Sequence, residues 1–431
     1  MEYNFYEKNY NIDKNIVEYV DKTYELLNKG FKSLDKIKEY NFLKVINSFN
    51  KNNLSNTDFN WTTGYGFGDY GVFKTEKIFS DIFKTEDSLV RSSIVSGTHA
   101  ISIVLFSLLN YGDNLVSITG DPYDTLQQVI GIKGKEKGNL ISKGINYSKL
   151  DLDDYGKIQY NKIKDYVKKA KLVAIQRSTG YTNRRAFTID EIEKAIKIIR
   201  KSNQNAIIFV DNCYGEFTQT REPSEVGADI IAGSLIKNIG SGIALTGGYI
   251  TGNKNLIEYC SNYLTSPGIG KEEGLSFGTT RNVLQGLYFS PMTTIESVKI
   301  AMLFSKCFND LGYKVSPLPE DERSDIVESI VLKSPEKVIE FCKAIQESCT
   351  LDSNIIPEPS PMPGYEDEII MSAGGFIDGS TGELSADGPL RKPYTVYVQG
   401  GLNFIQGKLA IMKVLQKFSD KNFIDLNKLT K

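Results

Sequence analysis

The sequence predicts an α/β fold: a large domain on a mostly parallel sheet, joined to a smaller C-terminal α+β domain. Three observations predict it. The chain has 431 residues, more than one hydrophobic core usually serves. From about residue 75 to 255 short apolar runs alternate with amphipathic stretches, the pattern of a parallel sheet covered by helices on both faces. From about residue 300 onward the pattern is mixed. The division that follows is 1–70 for an N-terminal helical arm and loop, 71–300 for the large domain and 301–431 for the small one.

In residues 12–50, Ile16, Val17, Val20, Leu26, Leu27, Phe31, Leu34 and Ile37 recur at roughly helical spacing among lysines and glutamates, which predicts the arm. Its apolar stripe needs a covering surface, and a neighbouring subunit is one. The stretch 61–71, WTTGYGFGDYG, is too rich in glycine and aromatics for a regular element and reads as a loop. Strands are expected at 115–118, Leu172–Gln176, Ile207–Asp211, 230–232 and 249–251. Between the second and third, Thr188 with Glu191 three residues on forms a capping box, and Ile192, Ile196 and Ile199 share a face, so a helix bridges the two strands. The last part holds a helix near Pro335–Gln346 and a proline-rich loop at 356–365.

Composition narrows the function. Lys and Arg number 51 against 53 Asp and Glu, a net charge of −2, so there is no basic field for nucleic acid or an anionic membrane. The five cysteines, Cys213, Cys260, Cys307, Cys342 and Cys349, are scattered without a CxxC pair and read as reduced thiols of a cytoplasmic protein. No metal site is expected. The start of the chain lacks a secretory apolar core, and the longest apolar stretch, 100–109, is about half the length that spans a bilayer.

Three features carry chemistry by their order. Ser96-Gly97-Thr98-His99-Ala100 precedes an apolar run, so small and hydroxylic residues open a helix whose free N–H groups suit a phosphate; the same residues would serve an ordinary cap. Asp211 ends the run 206–210, where a parallel strand delivers its last residue into a ligand crevice. There it would hold a protonated pyridine nitrogen or simply cap the next helix. Lys237, in Gly233-Ser234-Leu235-Ile236-Lys237, follows the next short strand and precedes the glycine-rich stretch 240–248. Burial there would lower its pKa towards a neutral nucleophile. A phosphate seat, a strand-terminal carboxylate and a lysine in that order are what a pyridoxal-phosphate site on an open sheet requires.

The stretch 63–406 resembles the Cys/Met-metabolism pyridoxal-phosphate lyases of fold type I, nearest to the aluminium-resistance group of cystathionine β-lyase-like, methionine γ-lyase-like proteins. The carriers are Ser96-Gly97-Thr98-His99-Ala100, Asp211-Asn212-Cys213-Tyr214-Gly215-Glu216 and Ser234-Leu235-Ile236-Lys237-Asn238. The resemblance implies an aspartate-aminotransferase-like fold, pyridoxal 5′-phosphate as cofactor and a carbon–sulfur lyase. It implies Gly97, Thr98 and Ser234 as phosphate ligands, Asp211 as partner of the pyridine nitrogen and Lys237 as the Schiff-base lysine. Tyr123, in Asp121-Pro122-Tyr123-Asp124-Thr125, stands where the family stacks a tyrosine on the ring. His99, the chain's one histidine, would stack, shuttle protons or be structural.

The chain departs from the family in two places. Relatives borrow a tyrosine and an arginine from the neighbouring subunit for the phosphate; Tyr65-Gly66-Phe67-Gly68 offers the tyrosine, Tyr65, without the arginine. Gly278-Thr279-Thr280-Arg281 would substitute by presenting an N–H, a hydroxyl and a guanidinium across a subunit interface, with Gly278 and Thr279 as cofactor-binding residues, or merely cap a helix. The surroundings of Arg391, Gly388-Pro389-Leu390-Arg391-Lys392-Pro393-Tyr394, do not match the usual motif either, yet its planar fork suits the substrate carboxylate. Gln176 and Arg177 end a strand and are candidates for the ring hydroxyl or the substrate.

The resemblance further implies that Lys237 exchanges its imine with an amino-acid substrate and, once free, removes the Cα proton. A homodimer or homotetramer with shared sites is expected. An aminotransferase, an aldol-type enzyme and a non-catalytic pyridoxal-phosphate protein linked to stress remain open as alternatives. A dinucleotide is disfavoured, because no G-x-G-x-x-G run follows the first strand of a βαβ unit.

Overall fold

The computed structural model describes residues 3–134, 137–182, 184–362 and 365–425. The chain opens with helices α1 (Tyr3–Tyr10) and α2 (Lys14–Lys51). The large domain follows, with α3 (Tyr70–Phe83), β1 (Asp87–Arg91), α4 (Gly97–Leu108), β2 (Asn114–Ser117), α5 (Asp124–Ile130), β3 (Asn146–Lys149), α6 (Ile163–Val167) and β4 (Leu172–Gln176). It continues through α7 (Ile189–Ser202), β5 (Ile207–Asp211), β6 (Ile230–Ser234), β7 (Gly248–Gly252) and α8 (Lys254–Leu264).

These seven strands form one sheet in the order β1-β7-β6-β5-β4-β2-β3. Neighbours from β6 to β3 run parallel, and β7 is antiparallel to both β6 and β1. Helices cover both faces, so successive strand residues enter opposite cores. Leu172 and Phe209 pack with Leu105 and Leu115 on one side; Val173 and Ile208 pack with Ile78 and Phe79 on the other. The capping box of α7 is formed: Thr188 Oγ1 accepts from Glu191 N at 3.3 Å, and the Glu191 carboxylate accepts from Thr188 N at 3.0 Å.

The long helix α9 (Thr280–Asp310) leads into the second sheet. That part contains β8 (Lys314–Ser316), β9 (Val327–Val331), α10 (Pro335–Gln346), β10 (Ile369–Ala373), β11 (Ser385–Pro389), β12 (Thr395–Gln399) and α11 (Phe404–Asp420). Its five strands are antiparallel in the order β10-β11-β12-β9-β8.

Two expectations need correction. The division at residue 300 falls inside α9, a continuous helix of 31 residues, so the two parts share a helix. The apolar stripe of α2, including Ile16, Val20, Phe31 and Leu34, is covered within the chain, in one core with Leu303 and Phe304 of α9 and Phe404 and Met412 of α11. Leu26, Tyr40 and Leu43 of the same helix stay exposed. Among the described residues, no helix is long and apolar enough to cross a membrane.

Candidate active site

Three parallel strands end at one edge of the large sheet. In register, Gln176 of β4 lies beside Asp211 of β5, and Asp211 beside Ala232 of β6, so the last residues of the three strands converge on the crevice beyond their carboxyl ends. Helix α4 begins at the same edge. Ser96 caps it, accepting from His99 N at 3.0 Å, and the first-turn amides of Gly97 and Thr98 have no helical acceptor. A Cβ on Gly97 would come within 3.1 Å of Cys213 Sγ and 3.2 Å of Ser234 Cβ; glycine is what lets the helix end approach so closely. Between these elements lies a cavity of about 290 Å³, near the lower end for small-molecule sites. Gly97, Thr98, Tyr123, Gln176, Asp211, Ser234 and Lys237 all line it.

Lys237 is the centre of the electrostatics. Among the described residues its Nζ makes no hydrogen bond or ion pair, and it lies 3.9 Å from the centre of the Tyr214 ring. Tyr214 has φ +69°, a left-handed backbone that costs a non-glycine residue energy and often marks a functional site. Burial pulls the lysine pKa down, but Cys213, Tyr214, Asp211 and Tyr123 together outweigh it and hold the amine above its ordinary value. Burial lowers the amine as expected, and its neighbours act against that lowering. Burial pushes Cys213, Tyr214 and Tyr123 up, so near neutral pH the charge acting on Lys237 is that of Asp211. Burial also raises Asp211, against the weaker pull of Lys237, and its Oδ1 accepts from Cys213 N at 3.1 Å. Tyr123 donates from its hydroxyl to Thr98 Oγ1 at 2.8 Å and from its N–H to Gln176 Oε1 at 2.9 Å.

The other expected residues lie elsewhere. Arg177 is fully buried and engaged by Glu222 at 3.2 Å and Asn212 at 2.8 Å; it is structural and does not reach the cavity. Arg391 stands beside the cavity wall without lining it, paired with Asp124 at 3.4 Å and Asp367 at 3.2 Å. His99 accepts at Nδ1 from Val95 N at 3.2 Å, burial lowers its pKa, and it does not line the cavity. Tyr65 is 68% exposed against Phe67, Gly278 packs on Trp61, and Thr279 lines a separate crevice with Arg91 and Ser92. None of these three reaches the cavity of its own chain. Arg281 lies 4.1 Å over the Phe59 ring.

Sequence reasoning missed part of the wall: Ser178, Tyr181 and Tyr365, together with Asp124, line the cavity. Cys213 and Tyr214 line it too, and their place directly after Asp211 was the one available signal.

The sequence matches the methionine gamma-lyase family over residues 16–419. A carbon-sulfur lyase involved in aluminum resistance from Clostridium novyi NT is 43% identical and superposes with a TM-score of 0.92, covering 97% of this chain and 100% of that one. The uncharacterized protein YnbB of Bacillus subtilis is 45% identical over 395 residues, 91% of this chain and 94% of that protein. The pyridoxal-5′-phosphate dependent protein YhfS from Escherichia coli, at 16% identity and TM-score 0.60 over 90% of this chain and 97% of that one, shares the fold. The chain therefore belongs to the methionine gamma-lyase family: it has the fold of type I pyridoxal-phosphate enzymes and is a carbon–sulfur lyase.

Proposed function

We propose that this lyase uses pyridoxal 5′-phosphate, held by Lys237, to release a thiol from an amino acid of the cysteine, cystathionine or methionine type. One observation carries the reading: a single cavity joins an amine that makes no hydrogen bond among the described residues, a buried carboxylate and a helix end with free amides. That donor set fits the cofactor. The amides of Gly97 and Thr98 and the hydroxyls of Thr98 and Ser234 would hold its phosphate, Asp211 would hold a proton at the pyridine nitrogen, and Tyr123 would cover the ring beside Gln176.

When bound, the cofactor supplies an aldehyde for the amine and a sink for the electrons left at Cα. Lys237 Nζ takes the Cα proton; a positioned base of this kind contributes about 10²–10⁴ in rate. As the C–S bond breaks the leaving sulfur takes a proton, and with one water consumed the products are a thiol, ammonia and a keto acid. Arg391 takes the substrate carboxylate by exchanging it for Asp124, whose pairing at 3.4 Å puts the guanidinium next to the cavity wall.

Tyr65, Gly278 and Thr279 serve the cavity of a second copy of the chain, in a homodimer or homotetramer with shared sites. This is supported by their distance from their own cavity and by the exposed aromatics around them, Trp61, Phe67, Tyr70 and Phe277. A cytoplasmic setting is supported by the five cysteines, all free and buried. The test is a visible spectrum of the purified protein, borohydride reduction and peptide mapping, followed by assay of thiol and keto acid from cystathionine. A reduced adduct on any peptide other than that of Lys237, or an enzyme that releases no thiol, ends this reading.

A further inference from the structure

Tyr181 lines the cavity with Lys237, and its hydroxyl donates to Asp387 Oδ2 at 2.8 Å. The same oxygen accepts from Gln399 Nε2 at 2.9 Å. Asp387 on β11 lies opposite Tyr397 on β12, so the two share a sheet face. Tyr397 stacks on the Tyr181 ring with centroids 5.1 Å apart, and Tyr365 flanks it at 5.7 Å. The second sheet thus grips one phenol by both its ring and its hydroxyl.

The grip fixes the polarity of that phenol. Asp387 is buried and pairs with no cation among the described residues. Oδ2, with both lone pairs taken by donors, carries no proton of its own, so the Tyr181 hydroxyl is the donor of the pair. Tyr181 has a single proton, and it is committed to Asp387; its oxygen keeps its lone pairs, which the neighbouring Tyr365 hydroxyl shares with the cavity. The wall facing Lys237 therefore offers an acceptor, backed by a negative charge. An amino acid brings a matching group, its ammonium, with three N–H donors.

We propose that Tyr181 is a substrate-binding residue whose oxygen accepts a hydrogen bond from the ammonium group of the incoming amino acid, and that Asp387 and Gln399 are positioning residues that keep it an acceptor. The inference rests on the reading that this cavity takes an amino acid. The groups acting on Asp387 are Tyr181 and Gln399 through hydrogen bonds, the cation Lys237, and the neutral Tyr365, Tyr214 and Cys342. Burial raises the carboxyl to about 6. Protonation below that value removes the charge behind Tyr181, so substrate capture weakens as pH falls.

The test uses the cofactor-loaded enzyme. Tyr181→Phe raises the KM for S-ethylcysteine and the calorimetric Kd for L-alanine about tenfold, as for one lost hydrogen bond to a charged group, while kcat stays within about threefold. Binding of propionate, which lacks the ammonium, is unchanged. Asp387→Asn removes the acid limb of the kcat/KM profile, and Gln399→Met, which takes away one donor, moves that limb to higher pH. A fall in kcat at constant KM in Tyr181→Phe, unaltered L-alanine binding, or an acid limb that persists in Asp387→Asn overturns the proposal. If wild-type enzyme releases no thiol, the lyase reading fails, and the L-alanine and propionate titrations still decide the role of Tyr181. Thermal melts identify a variant that has lost its fold; should Asp387→Asn do so, the shift in Gln399→Met decides.

Discussion

Lys237 Nζ stands 3.9 Å from the centre of the Tyr214 ring, and Tyr214 holds a left-handed backbone with φ +69°. The negative face of an aromatic ring attracts an ammonium without taking a proton or a hydrogen bond from it. The amine is therefore held inside the cavity and stays chemically free. Tyr214→Phe keeps that face and is expected to hold activity within about threefold, whereas Tyr214→Leu loses about tenfold, the size of one desolvated cation–π contact. Thiol release under saturating substrate measures both. Equal losses in the two variants would place the contribution in the hydroxyl and not in the ring.

Lys237→Ala removes the amine that no other residue of the cavity replaces. Its expected loss is at least about 10²–10⁴ in kcat, with borohydride no longer fixing cofactor to that peptide. Asp211→Asn takes away the charge facing Lys237, so in the cofactor-free protein the lysine pKa falls and the pH midpoint for alkylation of Lys237 moves to lower values. An unmoved midpoint would mean that Lys237 senses its other neighbours more than Asp211.

Strands β4 and β5 were legible to the residue, because parallel strands buried on both faces are continuous apolar runs closed by a polar residue, Gln176 in one and Asp211 in the other. β3 was not legible. Its sequence NYSK, exposed or half-exposed along its length at the sheet edge, carries no apolar signal. The same contrast runs through the site. Gly97, Asp211 and Lys237 announce themselves through strand ends and a helix start. The contact of Tyr181 with Asp387 joins the large sheet's loops to the second sheet, and neither residue has local surroundings that mark it. Arg177 was misjudged for a related reason: an arginine at a strand end looks available until Glu222, far along the chain, closes over it.

The Arg177–Glu222 pair, at 3.2 Å with both side chains fully buried, yields a stability prediction. Asn212, Thr218 and Ser324 supply further acceptors, so the guanidinium is well satisfied, and removing it strands Glu222 in the interior. Arg177→Met is expected to cost about 3–5 kcal/mol, the usual penalty for breaking a buried ion pair from one side. Urea denaturation checks this. A loss under about 1 kcal/mol would show that water reaches Glu222 once the arginine is gone.

Glu216 makes stability depend on pH. Its Oε1 accepts from the Tyr249 hydroxyl at 2.8 Å, its Oε2 is buried without a partner among the described residues, and burial raises the carboxyl from an ordinary 4.5 to about 8. Below about pH 4.5 the folded and unfolded chains both hold this proton, and there is no penalty. Between 4.5 and 8 the unfolded chain releases the proton and the folded one keeps it, so stability falls as pH rises, by at most about 1.4 kcal/mol per pH unit. Glu216→Gln never ionises in either state and escapes this loss. Glu328 is raised to about 8 in the same sense, so the variant must be read against wild type and not by its own slope. In urea melts, Glu216→Gln should gain on wild type steadily from about pH 5 to about pH 8, reaching a few kcal/mol. Parallel profiles for the two proteins would mean that Glu216 is ionised in the folded chain, its charge met by water at Oε2.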